Sequence, residues 1–172
     1  MVEQEFVLIG LGANLEHPRY GGPRETLEAA LSCLECAELR ILARSRWYRS
    51  APVPASDQPW FVNGVAALET DMDPAALLAR LHALEAEFGR RRGRRNAART
   101  LDLDLLDYRG RISRPGERPE LPHPRLAGRA FVLLPLAEVA PGWRHPVSGR
   151  DLRGLIAELP ADQRAELLQG PS

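Results

Sequence analysis

The 172-residue chain contains no lysine: all 23 of its basic residues are arginine. That single absence excludes whole mechanisms. There is no P-loop lysine, no protein-kinase strand lysine, and no lysine to carry a Schiff base or pyridoxal phosphate. Any handling of ATP must run on arginine and metal. A surplus of charge is also lacking, because 23 acidic residues balance the 23 arginines. With no global attraction to nucleic acid or membrane, basic function has to be local. No apolar run approaches the length of a membrane span, and Met1 to Glu5 lack the charged-then-apolar layout of a signal peptide. The expected location is the cytoplasm. Cysteine is scarce, with only Cys33 and Cys36 present. They form a C-x-x-C within an amphipathic helical pattern, with no further pair for zinc and no helix N-terminus to stabilise a thiolate, so the expectation is packing.

An apolar fraction of 44% and a charged fraction of 27% are those of a globular protein with a core of its own. One domain over residues 1–172 is expected. Phe6 to Leu11 reads as a strand running into Gly10-Leu11-Gly12-Ala13-Asn14. This opens like a dinucleotide fingerprint, but Leu15 stands where the third glycine belongs, so the stretch is read as a strand end and loop. Pro23 opens a helix with Leu27, Leu31 and Leu34 on one face. Residues 39–50 read as a second strand and 51–59 as a proline-stiffened loop. Trp60 to Thr70 is a third strand, with Phe61, Asn63, Val65 and Ala67 on one face. Asp73 and Pro74 cap and open a helix carrying Leu77, Leu81, Leu84 and Phe88, which Gly89 stops.

Residues 109–120 are expected to be a loop with a short strand around Ile112. Pro122-His123-Pro124 leads into a helical segment past Arg129 and Phe131, disturbed at Pro135. The tail, 151–172, reads as one or two short helices that say little about function. The order strand–helix–strand–strand–helix–strand is that of an α+β ferredoxin-like plait, an antiparallel sheet flanked by helices.

Chemistry concentrates in residues 90 to 106. In Thr100-Leu101-Asp102-Leu103-Asp104-Leu105, strand alternation puts three leucines on one face and two carboxylates on the other. Aspartate is a poor strand residue, and two anions on one face repel. A hard divalent cation with oxygen ligands, above all Mg2+, suits such a pair. Just upstream lie Arg90, Arg91, Arg92, Arg94, Arg95 and Arg99, planar donors matched to phosphate oxygens. A D-x-D on a solvent-facing strand needs no metal, and an arginine run is most often a solvated face. Joined by one short loop, the two describe a site for a metal–polyphosphate.

Phe61 and Asn63 share a strand face, an aromatic surface beside an amide that donates and accepts at once. That suits the edge of a heteroaromatic ring, and equally a core phenylalanine with a satisfied asparagine. The segment Arg95-x-Ala97-Ala98-Arg99-x-x-Asp102-Leu103-Asp104-Leu105-Leu106 resembles the signature of the 6-hydroxymethyl-7,8-dihydropterin pyrophosphokinase family of folate biosynthesis. Ile9 to Leu15, Tyr48 to Pro52, Asp57 to Asn63, Leu121 to Pro124 and Arg129-Ala130-Phe131 resemble the same family, in order, from about residue 5 to 150.

The resemblance implies transfer of the β,γ-diphosphoryl unit of ATP to the pterin hydroxymethyl group, with release of AMP. It implies that Asp102 and Asp104 hold two Mg2+ ions bound with ATP, and that Arg90 and Arg99 act on the transferring phosphates. His82, Glu85, Arg118, His123 and Arg129 are expected to contact the nucleotide. Asn63 is expected to read the pterin edge between Phe61 and Phe131, with Ser50, Ala51 and Val53 adding contacts. Three loops, roughly 13–22, 50–59 and 89–98, would close over the substrates. The partners implied are small molecules, with no nucleic acid or membrane, acting on a monomer.

Some positions depart from the family pattern. Asn96 stands where many members have tryptophan, and Ala98 and Ala51 where proline is frequent. Phe61 replaces a tyrosine found in some members, and the third loop is about one residue short. None touches the two aspartates. Two other classes could use the same residues. One is a Mg2+-dependent nucleotidyltransferase or phosphohydrolase with another acceptor. The other is an RNA-binding plait module with Phe61 as stacking platform, which the neutral charge and the paired aspartates oppose.

Overall fold

Strand β1, Val7–Ala13, is a buried run inside the sheet, paired with an antiparallel strand on each side. The computed structural model describes residues 6–89 and 100–170. Helix α1 follows as Pro23–Leu34, then β2 Leu39–Arg44, β3 Tyr48–Ser50, β4 Phe61–Thr70 and helix α2 Pro74–Glu87. Strand β5, Asp102–Tyr108, is followed by a 3-10 turn at Leu126–Gly128, helix α3 Ala130–Val139, helix α4 Leu152–Ala157 and strand β6 Ala165–Leu167.

The six strands form one antiparallel sheet in the order β5-β1-β4-β3-β6, with β2 paired to the far half of β4. The plait order expected from the sequence is therefore present. Helices α1 and α2 cover one face, where Ile9, Leu27, Leu34, Leu68, Leu81 and Leu101 are buried together. Helices α3 and α4 cover part of the other, packing on Leu8, Val65, Ala67 and Leu106. Local signals did much of this. Pro23 and Pro74 sit in the first turns of their helices, Asp73 accepts a hydrogen bond from Ala76 N–H at 2.8 Å, and Gly89 has the positive φ of +86° that ends α2.

Six expectations are corrected. The strand read over 39–50 is two strands, broken where Ser45 Oγ accepts from Val65 N–H at 3.0 Å and Trp47 folds onto Gly64. A Cβ at Gly64 would lie 2.5 Å from the Trp47 ring, so only glycine admits that indole. Gly10 and Gly12 belong to the interior of β1, which runs to Ala13. No strand forms around Ile112, which is exposed; Ser113 is instead held to Leu121. Cys33 ends up near the last residue of α1 and Cys36 beyond it, both exposed, so neither packs in a core. Helix α3 runs on through Pro135 to Val139. The tail supplies a sheet strand, β6, as well as helix α4.

Glu28 of α1 ties this helix to β2 and to the Trp47 corner. Its carboxylate accepts two hydrogen bonds from Arg44, at 2.7 and 2.6 Å, and one from the Trp47 indole at 2.8 Å. The Arg44 hydrogen bonds, against partial burial and with help from Trp47, hold its pKa down at about 2 instead of 4.5. The unfolded chain therefore binds a proton first as pH falls. The stability due to ionised Glu28 is present above pH 4.5 and lost between there and about pH 2. Because the side chain is 43% exposed, solvent screens much of the effect. Glu28→Gln is expected to flatten the acid limb of stability in that window in urea titrations, with a smaller change at pH 7. An unchanged acid limb would exclude the role.

Candidate active site

The site is built outward from Gly12. In the sheet register Gly12 lies opposite Asp102 of β5 on one side and Asn63 of β4 on the other, and Asn63 lies opposite Tyr48 of β3. Residues opposite one another in a ladder project to the same face. The missing side chain at Gly12 therefore leaves a gap between a carboxylate and an amide. A Cβ there would stand 3.0 Å from Asn63 Oδ1. One step along, Gly10 is opposite Asp104. Gly12, read from the sequence as strand end and loop, is part of the cavity lining.

The cavity has a volume of about 830 Å3. Asn63 and Ser50 are both buried, and the Asn63 amide donates to Ser50 Oγ at 2.6 Å. That bond fixes the amide at the cavity wall, which Phe61 and Phe131 also line. Ala51, Pro52 and Val53 form one wall. The loop that carries them is tied down by Asn14, 2% exposed at the end of β1, which donates to Gln58 Oε1 and to the Pro59 carbonyl, each at 3.1 Å.

At the other end of the cavity, Asp102 and Asp104 project beside His123 and Arg129. Leu101, Leu103 and Leu105 are buried beneath them, which fixes the strand and so the spacing of the carboxylates. His123 Nε2 lies 3.9 Å from Asp104 Oδ1, and Arg129 Nη1 lies 3.9 Å from Asp104 Oδ2. The Arg129 guanidinium also sits 5.3 Å from the centroid of the Phe131 ring. Burial, with the nearby positive charges of Arg129 and Arg125, pushes the His123 pKa down to about 4. His123 is therefore neutral near pH 7. Its Nδ1 accepts the Arg125 backbone N–H at 3.1 Å, which leaves the proton on Nε2, the atom facing Asp104.

The two aspartates fit a hard divalent cation. They offer only oxygen, from one strand face, and open onto a cavity roomy enough for a polyphosphate. Among the described residues no group of three or more His, Cys, Asp or Glu side chains could hold a metal. The remaining ligands of such a cation would then be phosphate oxygens and water, as is usual for Mg2+.

Ser50, Ala51, Val53, Phe61, Asn63 and Phe131, all assigned to one ring-binding end, line the cavity together, as do Asp102, Asp104, His123 and Arg129. Glu85, His82 and Arg118 are not among its lining residues. Glu85 is buried and accepts the Leu103 backbone N–H at 2.9 Å, closing the outer edge of β5. His82 is on the exposed side of α2, and Arg118 pairs with Glu120 at 3.4 Å. Arg90 and Arg99, with Asn96 and nearly all of the third loop, lie outside the described residues. The sequence reading missed Gly12 and Gln163 as lining residues. Strand alternation could have found Gly12, which shares the aspartate face. Nothing local marks Gln163.

The family model described as 7,8-dihydro-6-hydroxymethylpterin-pyrophosphokinase matches residues 8–141. The chain belongs to this family. Among its relatives is the 2-amino-4-hydroxy-6-hydroxymethyldihydropteridine pyrophosphokinase of Pseudomonas aeruginosa. That relative is 46% identical over 155 residues, which is 90% of this chain and 91% of the relative. The protein of the same name from Methylorubrum extorquens is 39% identical over 153 residues, 88% of this chain and 91% of the other. The folic acid synthesis protein fol1 of Pneumocystis carinii is 34% identical over 158 residues, which is 92% of this chain but 20% of that longer protein. The pyrophosphokinase family match spans β1 through α3 and contains both aspartates, Asn63 and both cavity phenylalanines. It ends before α4 and β6.

Proposed function

We propose that this chain is an ATP-dependent diphosphokinase that converts 6-hydroxymethyl-7,8-dihydropterin to its diphosphate and releases AMP, a step of folate biosynthesis. The observation that carries this is the row Asp102–Gly12–Asn63: a ring-reading amide and a metal-binding carboxylate on one sheet face, separated by a glycine. In this reading the pterin lies between Phe61 and Phe131, and the Asn63 amide, steadied by Ser50, pairs with the ring edge. The hydroxymethyl group then points along the row toward Asp102. The triphosphate lies over Asp102 and Asp104, with Arg129 and the neutral Nε2–H of His123 donating to its oxygens. In the reaction the pterin oxygen bonds to the β-phosphorus, the bond from that phosphorus to the α,β-bridging oxygen breaks, AMP departs, and the hydroxyl proton is released. Two Mg2+ ions, when bound with ATP by Asp102 and Asp104, would neutralise phosphate charge and align the attacking oxygen. The family resemblance assigns Arg90 and Arg99 to the transferring phosphates.

Water must be kept out, because ATP hydrolysis competes. The Asn14 clamp on the 51–59 loop holds one wall of the cavity in place for that purpose. No helix among the described residues is long and apolar enough to cross a membrane. We read the chain as a cytoplasmic monomer acting on small molecules. The test is product analysis with ATP, Mg2+ and 6-hydroxymethyl-7,8-dihydropterin. AMP and pterin diphosphate are expected in equal amounts, and only when the pterin is present. Release of ADP or pyrophosphate instead would overturn the reaction.

A further inference from the structure

Helix α3 begins at the wall of the cavity, and its first turn carries two of the residues just assigned: Arg129 at the cap position and Phe131 within the helix. Arg129 makes no side-chain cap hydrogen bond. The first N–H groups of a helix have no partner within it, and a buried one left unpaired is costly. Ala130, at the head of this helix, is 2% exposed. Its N–H donates to the side-chain Oε1 of Gln163 at 3.1 Å, from a residue 33 positions further along the chain.

Gln163 is itself held in place from several sides. Its own N–H donates to the Pro160 carbonyl at 3.0 Å. The following residues form β6, which pairs with β3 in the register Ser50↔Ala165, Arg49↔Glu166 and Tyr48↔Leu167. Leu168 N–H donates to the Trp47 carbonyl at 2.9 Å, and Arg49 pairs with Glu166 at 3.1 Å. The Arg49 and Arg164 guanidinium groups lie 4.3 and 5.7 Å from the Trp60 ring centroid. The tail segment is thus fastened to the strand that carries Ser50, and Gln163, which lines the cavity, meets the head of α3.

We propose that Gln163 is a positioning residue for the pterin: as a remote cap on α3 it sets the Phe131 ring against Phe61, so that the C-terminal segment beyond the family match completes the ring-binding end of the site. The proposal rests on the reaction assigned above. The effect should be selective. Phe131 is carried by the first turn that Gln163 caps. The Arg129 guanidinium has an anchor outside the helix, at Asp104. Loss of the cap therefore weakens pterin binding more than nucleotide binding.

The experiment compares the full-length protein with Gln163→Ala and Gln163→Glu, the second of which keeps an acceptor for Ala130 and places a negative charge favourably at a helix N-terminus. Steady-state kinetics with each substrate varied is combined with amide hydrogen exchange across 128–134. Gln163→Ala is expected to raise the pterin KM roughly fivefold to tenfold, the size of a lost helix cap, with the ATP KM and kcat within about twofold. Exchange in the first turn of α3 is expected to speed up, and Gln163→Glu to restore both readouts. Equal rises in both KM values with a lowered melting temperature would mark a merely structural residue and overturn the proposal. So would an unchanged pterin KM in the alanine variant. If the unaltered protein makes no pterin diphosphate, the assigned reaction fails and the pterin role of Gln163 fails with it. Faster α3 exchange in Gln163→Ala would still support the cap, which separates the two failures.

Discussion

Asp102→Asn is expected to lower kcat/KM for diphosphoryl transfer by at least about 10³-fold while leaving the protein folded. An oxyanion-type donor lost from an active site costs roughly 10²–10³-fold, which is the expectation for Arg99→Ala. A carboxylate that anchors the cations of the whole triphosphate should cost more. Asparagine keeps the size and strand geometry of Asp102 and removes only the charge. Asp104 faces His123 and Arg129 at 3.9 Å, so its loss would disturb those two directly, and the Asp102 charge also acts on His123. Thermal melting of the apo protein should hold steady or rise, since one of two neighbouring anions is gone. A folded Asp102→Asn protein with normal turnover would sink the proposed role of this strand.

Asn63→Ala should act at the other end of the row. A buried site built to pair with a ring edge loses both bonds when the amide goes, worth about 1–3 kcal/mol, or roughly tenfold to hundredfold in affinity. The pterin KM should rise by that factor, with ATP binding measured by calorimetry unchanged. Ser50→Ala is the control. It breaks the 2.6 Å bond that orients Asn63 but leaves the amide present, so its effect should be smaller and in the same direction. Matching losses for both substrates would mean that Asn63 holds the sheet together and does not read the pterin.

Much of this site was legible in the sequence because it is written in strand alternation. Leu101, Leu103 and Leu105 against Asp102 and Asp104, and Phe61 with Asn63, follow a period of two that survives folding unchanged. The helices announced themselves by proline, aspartate and glycine at their ends. What stayed hidden depends on contacts across the chain. The break between β2 and β3 arises because Trp47 needs the space over Gly64. The hydrogen bond by which Glu85 also holds the edge of β5 joins residues 18 apart in the chain. The two cysteines were assigned to a helix that stops at Leu34, one residue after the first of them. Gln163 meets Ala130 only once β6 has joined the sheet.

The residues around the cavity come from nearly the whole described chain, from Gly12 in the first strand to Gln163 just before the last. No local piece of the molecule assembles even half of it. Contacts of such long sequence separation form late and slowly during folding, after the cost of closing large loops has been met. A partly folded molecule therefore has no pterin site to offer. Ligand binding draws only on the fully native population and stabilises it by mass action. A titration of binding-competent sites is, for this chain, a count of correctly folded molecules.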